Sequence, residues 1–323
     1  MTPQFLPTID DVRAAARRLR GVATRTPLLP APGLEERLGR PVFVKAESLQ
    51  LTGSFKFRGA WNRIAALTPA ERAPGVVAFS SGNHAQGVAA AARMHGIAAA
   101  IVMPSDAPRV KVEGTRAWGG EVHFYDRARD SREEMAARLA AERGAVLIPA
   151  FDDPFVIAGQ GTAGLEIAAG IAALGHRLEA VVTPVGGGGL ASGLALALEA
   201  AAPGARLYGA EPEGFDDLRR SLAEGRIVGN ERKTGSIQDA LLSPSVCERT
   251  FRILKPRMAA AFAVADGEAE AAMAWAARHL KLVAEPGGAA ALAAVLADRI
   301  PAGEGAIVIV LSGGNAEPVM AAA

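Results

Sequence analysis

Ser48-Leu49-Gln50-Leu51-Thr52-Gly53-Ser54-Phe55-Lys56-Phe57-Arg58-Gly59-Ala60 sets one lysine between a Gly-Ser turn and a run of good helix formers, with Phe55 and Phe57 on either side. Aromatic neighbours strip water from an ammonium group, which disfavours its charged form and frees a nucleophilic amine. Lys56 is therefore a candidate imine-forming lysine. Taken alone, the stretch serves equally well a lysine whose stem lies on apolar surface with its head in water.

Working outward, Val42-Phe43-Val44-Lys45-Ala46 reads as a short strand entering this motif, Thr24-Arg25-Thr26-Pro27-Leu28 as an extended turn, and Asp10 to Leu19 as a helix with a polar start. Beyond the motif, apolar β-rich runs alternate with Ala-rich helical ones. Strands are expected at Val76–Phe79, Ala98–Met103, Val122–Tyr125, Ala145–Ile148, Ala180–Val185, Arg206–Ala210, Phe262–Val264 and Ala306–Leu311. Helices are expected near His84–Met94, Arg109–Trp118, Arg132–Arg143 and Pro154–Leu174. Strands that are almost wholly apolar and alternate with helices predict an α/β fold whose parallel sheets are covered on both faces. Two such sheets with a cleft between them are expected.

The net charge of +1 offers no basic face to nucleic acid, and arginines and acidic residues intersperse along the predicted helices as on solvated faces. A small-molecule partner fits better than a polymer. Cys247 is the single cysteine and forms no intrachain disulfide; its neighbours Val246 and Glu248 give no metal-ligand spacing. Met1 to Pro7 lacks the basic start and apolar segment of a signal peptide, and apolar runs such as Ile97–Met103 are too short to span a bilayer. A cytoplasmic, soluble protein with no membrane partner is the expectation.

Several motifs sit where strands end. Gly186-Gly187-Gly188-Gly189 follows one strand and precedes a helix starting near Leu190. Glycines let backbone curl around an anion, and a helix N-terminus adds unpaired N–H groups and a favourable dipole, so the run reads as a phosphate cradle rather than a flexible turn. Ser80-Ser81-Gly82-Asn83-His84-Ala85-Gln86-Gly87 opens another helix, with Asn83 a good N-cap and donors suited to a substrate carboxylate. Ser312-Gly313-Gly314-Asn315 follows the last strand. Ser131-Arg132-Glu133-Glu134 has the spacing of a capping box. Glu211-Pro212-Glu213-Gly214-Phe215-Asp216-Asp217 is an acidic helix start by composition.

Thr52 to Ala60 resembles the pyridoxal-phosphate lysine motif of the threonine dehydratase and serine racemase family. The Arg-Thr-Pro-Leu segment, the Ser80–Gly87 octapeptide, the glycine run and Ser312–Asn315 match that family in order, across roughly Thr24 to Asn315. The resemblance implies the tryptophan synthase β-like fold-type II of pyridoxal-phosphate enzymes, two open parallel-sheet lobes with the cofactor between them. The catalytic region is then residues 20–315, with a small lobe over roughly 50–150 and the large lobe the remainder. With the chain ending soon after Asn315, no C-terminal regulatory domain is expected.

Residue by residue, the resemblance implies that Lys56 carries the cofactor beside Phe55, that Asn83 meets its phenolic oxygen, and that Gly186, Gly187, Gly188 and Gly189 hold its phosphate. Ser312 faces the ring nitrogen, and Glu285 is a carboxylate near the cofactor. Ser80, Ser81, Gly82, Asn83 and His84, with Ser243, border the substrate. Ser81 is either an acid/base across the cofactor plane from Lys56 or a serine that binds carboxylate or water. Arg132 either belongs only to the capping segment or reads a second carboxylate by a bidentate pair. Glu211 and Asp217, with the carbonyl of Phe215, resemble a Mg2+ or Ca2+ segment of oxygen donors. Ile237-Gln238-Asp239-Ala240 departs from the family's Ala-Asp-Gly, which reshapes the pocket at Ala240.

The implied activity is that of a dehydratase, or ammonia-lyase, removing the β-hydroxyl of threonine, serine or 3-hydroxyaspartate to give a 2-oxo acid and ammonia. The alternative is a serine racemase using Lys56 and Ser81 as acid/bases on two faces. The resemblance also implies a homodimer.

Overall fold

The computed structural model describes residues 5–316; Met1 to Gln4 of the stretch read for a leader lie outside them. Among the described residues ten strands form two sheets: β1 (Leu28–Pro30), β2 (Val42–Ala46), β3 (Val76–Phe79), β4 (Ala99–Pro104), β5 (Glu121–Tyr125), β6 (Val146–Leu147), β7 (Leu178–Pro184), β8 (Arg206–Pro212), β9 (Met258–Val264) and β10 (Ala306–Leu311). The larger sheet runs β1-β2-β10-β7-β8-β9 and the smaller β5-β4-β3-β6. All pairings are parallel except β1 with β2. The short β1, which the sequence reads as part of an extended turn, is thus an antiparallel edge on an otherwise parallel sheet.

Burial explains the apolar strands. Along β10, Val308 and Val310 join a core with the helices Ile9–Leu19, Pro154–Ala173 and Gly189–Ala201. Ile307, Ile309 and Leu311 point the other way, into a core with the helix Pro286–Leu296. Each of these five side chains is at most 1% exposed, and full burial of such a side chain is worth about 1.5–3 kcal/mol. The small sheet repeats the arrangement. Val76 and Ala78 pack under Lys56–Ala65 and Asn83–Met94, while Val77 turns toward Arg132–Arg143.

One expectation needs correction. The helix Pro154–Ala173 is long and apolar enough, by length and composition, to cross a membrane. Its apolar window is 67% buried inside the fold, because it forms a core layer packed against Ile9–Leu19, Lys56–Ala65 and Gly189–Ala201. Its uniform apolarity therefore follows from being covered by protein on several sides.

Candidate active site

In open α/β sheets ligands gather beyond the carboxyl ends of the strands, and the strand-end motifs meet there. Beyond β2 comes Lys56, beyond β3 Ser80–His84, beyond β7 Gly186–Gly189 and beyond β10 Ser312. Phe55, Lys56, Ser80, Ser81, Asn83, His84, Arg132, Gly186 to Gly189, Ser243 and Ser312 all line one cavity of about 120 Å3. Gly82 and Glu285 stand behind its wall. A side-chain carbon on Gly82 would meet the Lys111 stem, and Glu285 is reached through Asn83.

Lys56 opens the helix Lys56–Ala65, and its Nζ donates to the carbonyl of Ala150 at 3.0 Å. Burial pushes its pKa down to about 8, against the opposing pull of Glu285. Of the two flanking aromatics, Phe55 lies under Nζ at 5.2 Å from the ring centroid, whereas Phe57 is fully buried in the core. The residues before Lys56 are tied to the end of β10. Ser54 bridges Gly313, the Phe55 amide donates to the Ser312 carbonyl at 3.1 Å, and the Gly314 amide donates to Gly53.

Asn83 is the first residue of its helix, and Gly82 occupies the N-cap. This corrects the N-cap expectation. The Asn83 side chain instead donates to Glu285 and accepts from Asn315 at 2.8 Å. Ser80 Oγ accepts from the Gly82 amide at 3.0 Å. His84 pairs Nε2 with the Ile148 carbonyl at 2.9 Å, and burial first, then the Lys56 charge, drive its pKa down to about 3. The imidazole is therefore neutral at physiological pH. Ser131 caps Arg132–Arg143 by accepting from the Glu134 amide at 3.2 Å, while Arg132 lines the cavity with its guanidinium 5.2 Å from the Phe79 ring centroid. The capping role and the pocket position thus coexist.

The glycine run has room for an anion and no room for side chains. A carbon on Gly187 would lie 2.5 Å from the Phe151 ring. Gly188 is the N-cap of Gly189–Ala201 at φ 85°, a left-handed conformation that glycine adopts without strain. The amides of Gly186, Gly187 and Gly188 have no acceptor among the described residues. Orphan N–H groups curled before a helix N-terminus suit a phosphate.

Lys111 is the functional residue that sequence reasoning missed. It is 2% exposed, and Nζ lies 2.8 Å from both oxygens of Asp239 and 2.9 Å from Glu285. Asp239 heads the segment Asp239–Leu241, which lines the cavity through Asp239, Ala240 and Leu241.

Away from the cleft, Glu211 is fully buried and accepts from the amides of Leu218 and Arg219 at 2.9 and 2.8 Å. Asp217 accepts from Asn230 and the Val246 amide, both at 2.7 Å. Burial raises both carboxyls, Glu211 well above its usual range with Asp217 adding repulsion, and Asp217 to about 6. No cluster of three or more His, Cys, Asp or Glu side chains able to hold a metal occurs among the described residues. Glu211, Asp217 and the Phe215 carbonyl are oxygen donors of the kind a hard divalent cation takes, and each carboxylate already accepts two hydrogen bonds from the protein.

Residues 19–313 match the family described as pyridoxal-phosphate dependent enzymes. The chain is 42% identical to the L-threo-3-hydroxyaspartate ammonia-lyase of a Pseudomonas species, covering 97% of this chain and 96% of that protein. Among solved structures, the T.th. threonine deaminase superposes with a TM-score of 0.90 at 44% identity, covering 97% of this chain and 100% of that one. Maize serine racemase gives 0.92 at 37% identity, covering 97% and 95%.

Proposed function

This chain belongs to the family of pyridoxal-phosphate dependent enzymes, and on that premise we propose that it is an ammonia-lyase removing the β-hydroxyl of a small hydroxyamino acid. The observation that carries the reading is the single cavity in which Lys56, the glycine run, Ser81 and Ser312 meet. The relatives point to threonine or 3-hydroxyaspartate, and serine is included by its shared β-hydroxyl.

Bound pyridoxal phosphate supplies an electron-withdrawing ring that lowers the cost of breaking bonds at the α-carbon of an attached amino acid. The residues do the rest. The amides of Gly186 to Gly189 would bind the phosphate. Ser312, which lines the cavity, would offer the ring nitrogen a hydroxyl in place of a carboxylate. Asn83, held between Glu285 and Asn315, would present its amide to the phenolic oxygen. Lys56, with its amine depressed to about 8, would anchor the cofactor and then take the α-proton at Nζ, that proton and the departing β-hydroxyl together making up the water lost. The Ser80–His84 turn binds the α-carboxylate, Ser243 closes the substrate side, and Arg132 receives a second carboxylate when the substrate has one. Glu211, Asp217 and the Phe215 carbonyl would hold Mg2+ or Ca2+ remote from bond breaking.

Racemisation is the second reading, because Ser81 lines the same cavity as Lys56 and supplies a hydroxyl for protonation. A homodimer is supported by Leu49, Leu51 and Val283, which expose 48%, 37% and 50% of their surfaces, with Ser48 and Val283 both bordering Gly314. A single cysteine, which leaves the chain without an intrachain disulfide, supports a cytoplasmic setting.

The test is an ammonia-release screen over the stereoisomers of threonine, serine and 3-hydroxyaspartate. Release from at least one, lost in Lys56→Ala, is expected. No release from any of them would end the proposal.

A further inference from the structure

Behind Lys56 lies a group of charges that the reaction does not use. Arg58 is fully buried, and its guanidinium grips two carboxylates. Nε and Nη2 donate to Glu47 at 2.8 Å each, and Nη1 and Nη2 donate to Glu166 at 2.7 and 2.9 Å. Nη1 also donates to Thr162 Oγ1 at 3.1 Å. Lys45, 1% exposed, donates to Glu166 at 2.5 Å and to the Thr26 carbonyl at 2.7 Å, and Thr26 donates to Glu47 at 2.5 Å. The group balances two cations against two anions, which is what lets such charges stay out of water.

The placement of this group is more telling than its charge. Glu166 and Thr162 lie on Pro154–Ala173, Lys45 on β2, and Arg58 in the first turn of the helix that Lys56 opens. Residues two apart on a helix point about 200° away from each other. A guanidinium clamped on the outer side therefore turns Lys56 toward the cleft. The helices touch at this point: a side-chain carbon on Gly159 would lie 2.6 Å from the Arg58 carbonyl. On its other side Lys56 is tied to Ser312–Gly314 through Gly53, Ser54 and Phe55. Lys56 is thus held on two sides by elements of the six-stranded layer, while Phe57, Ala60 and Ile64 of the same helix pack into the core of the four-stranded one. Ser81, Asn83 and Arg132 ride on loops and helices of the four-stranded sheet.

We propose that Arg58, clamped by Glu47 and Glu166, is a positioning residue that locks the first turn of the Lys56 helix at the seam between the two layers and so fixes the aim of Nζ into the cleft. This rests on Lys56 being the cofactor-bearing lysine. A bidentate fork on each carboxylate sets a direction, which a lysine at the same place supplies only as a point charge.

The test compares holoenzyme, Arg58→Lys and Glu166→Gln, with Arg58→Ala as the severe variant. Two readouts besides thermal stability separate positioning from folding. One is the rate at which cofactor-free protein captures pyridoxal phosphate covalently, trapped with borohydride and weighed by mass spectrometry. The other is the division of any loss between kcat and KM. Arg58→Lys is expected to slow capture and lower kcat about tenfold, with KM changed by less than about twofold. In Arg58→Ala, millimolar ethylguanidinium is expected to restore capture, entering by the cavity of about 360 Å3 that Arg58, Thr162 and Glu166 line; methylammonium is expected not to.

Wild-type capture and kcat in folded Arg58→Lys and Glu166→Gln would overturn the proposal. So would losses that only track the melting temperature. If Arg58→Ala does not fold, the two milder variants decide. Peptide mapping keeps the premise separate: a trapped mass on a lysine other than Lys56 overturns the Lys56 assignment whatever the Arg58 variants show.

Discussion

Lys111 Nζ stands 2.8 Å from each carboxylate oxygen of Asp239, and this pair fastens the helix Arg109–Ala117 of the smaller layer to the Asp239–Leu241 lip of the cleft. Burial works against the lysine charge, yet Glu285 and Asp239 together hold its pKa above the ordinary value. The same lysine offsets the burial that raises the Glu285 carboxyl. The ammonium therefore neutralises two anions and also ties the wall behind Asn83 to the segment that faces substrate.

Lys111→Met leaves Glu285 and Asp239 without their shared cation. Removing one partner from a buried ion pair costs about 3–5 kcal/mol. A lower melting temperature and a raised KM are expected, the latter from loosening of Asp239–Leu241. A double-mutant cycle with Asp239→Asn separates the two effects. Additive losses in that cycle would show that the pair does not act as a unit.

The contrast between Lys111 and Lys56 shows what the chain discloses in one dimension. β3 and β10 are legible to the residue, because a parallel strand covered on both faces must be apolar throughout. The motifs at their ends are legible because each is local: a turn, a helix start, a glycine run. Arg109-Val110-Lys111-Val112-Glu113, by contrast, has the mixed composition of a solvated helix face. Its lysine is buried only because Asp239, 128 residues away, comes to meet it. Arg58 hides in the same way behind Glu166, 108 residues distant. Asn83 reads as a cap for a related reason. Its local preference is for capping, and a carboxylate 202 residues away takes the side chain instead.

The depressed Lys56 amine gives a pH prediction. An amine reacts in its neutral form, so reactivity rises with pH and has its midpoint at the pKa. With that pKa at about 8, the neutral fraction at pH 7 is roughly two hundred times that of a solvated lysine. In cofactor-free protein, acylation of Lys56 followed by peptide mass spectrometry should show a midpoint near pH 8. Solvated lysines should rise only well above pH 9. A Lys56 profile that overlays theirs would remove the desolvation argument.

Glu211 and Asp217 predict a response to divalent cations. Their mutual repulsion and burial are relieved by a cation bound between them, and a ligand at a hundred times its Kd stabilises by about 2.7 kcal/mol. Mg2+ or Ca2+ added to chelator-treated protein should raise the melting temperature. Asp217→Asn should abolish that rise while leaving cofactor capture by Lys56 intact. An unchanged melting temperature on cation addition would mean that these carboxylates serve only the backbone amides they accept from.

Ser81 decides between elimination and racemisation. It lines the cavity with Lys56 but has no hydrogen-bond partner among the described residues, so its hydroxyl is free to serve a ligand. If Lys56 alone moves the α-proton, Ser81→Ala should keep ammonia release within about tenfold of wild type, the loss reflecting one weakened contact to substrate. If Ser81 protonates the face Lys56 does not reach, substrate recovered from deuterated water should carry deuterium in the inverted configuration. That signal should vanish in Ser81→Ala while ammonia release persists. The two results are read from one reaction mixture by chiral chromatography with mass detection. Inverted, deuterated product surviving in Ser81→Ala would show that another acid reaches that face.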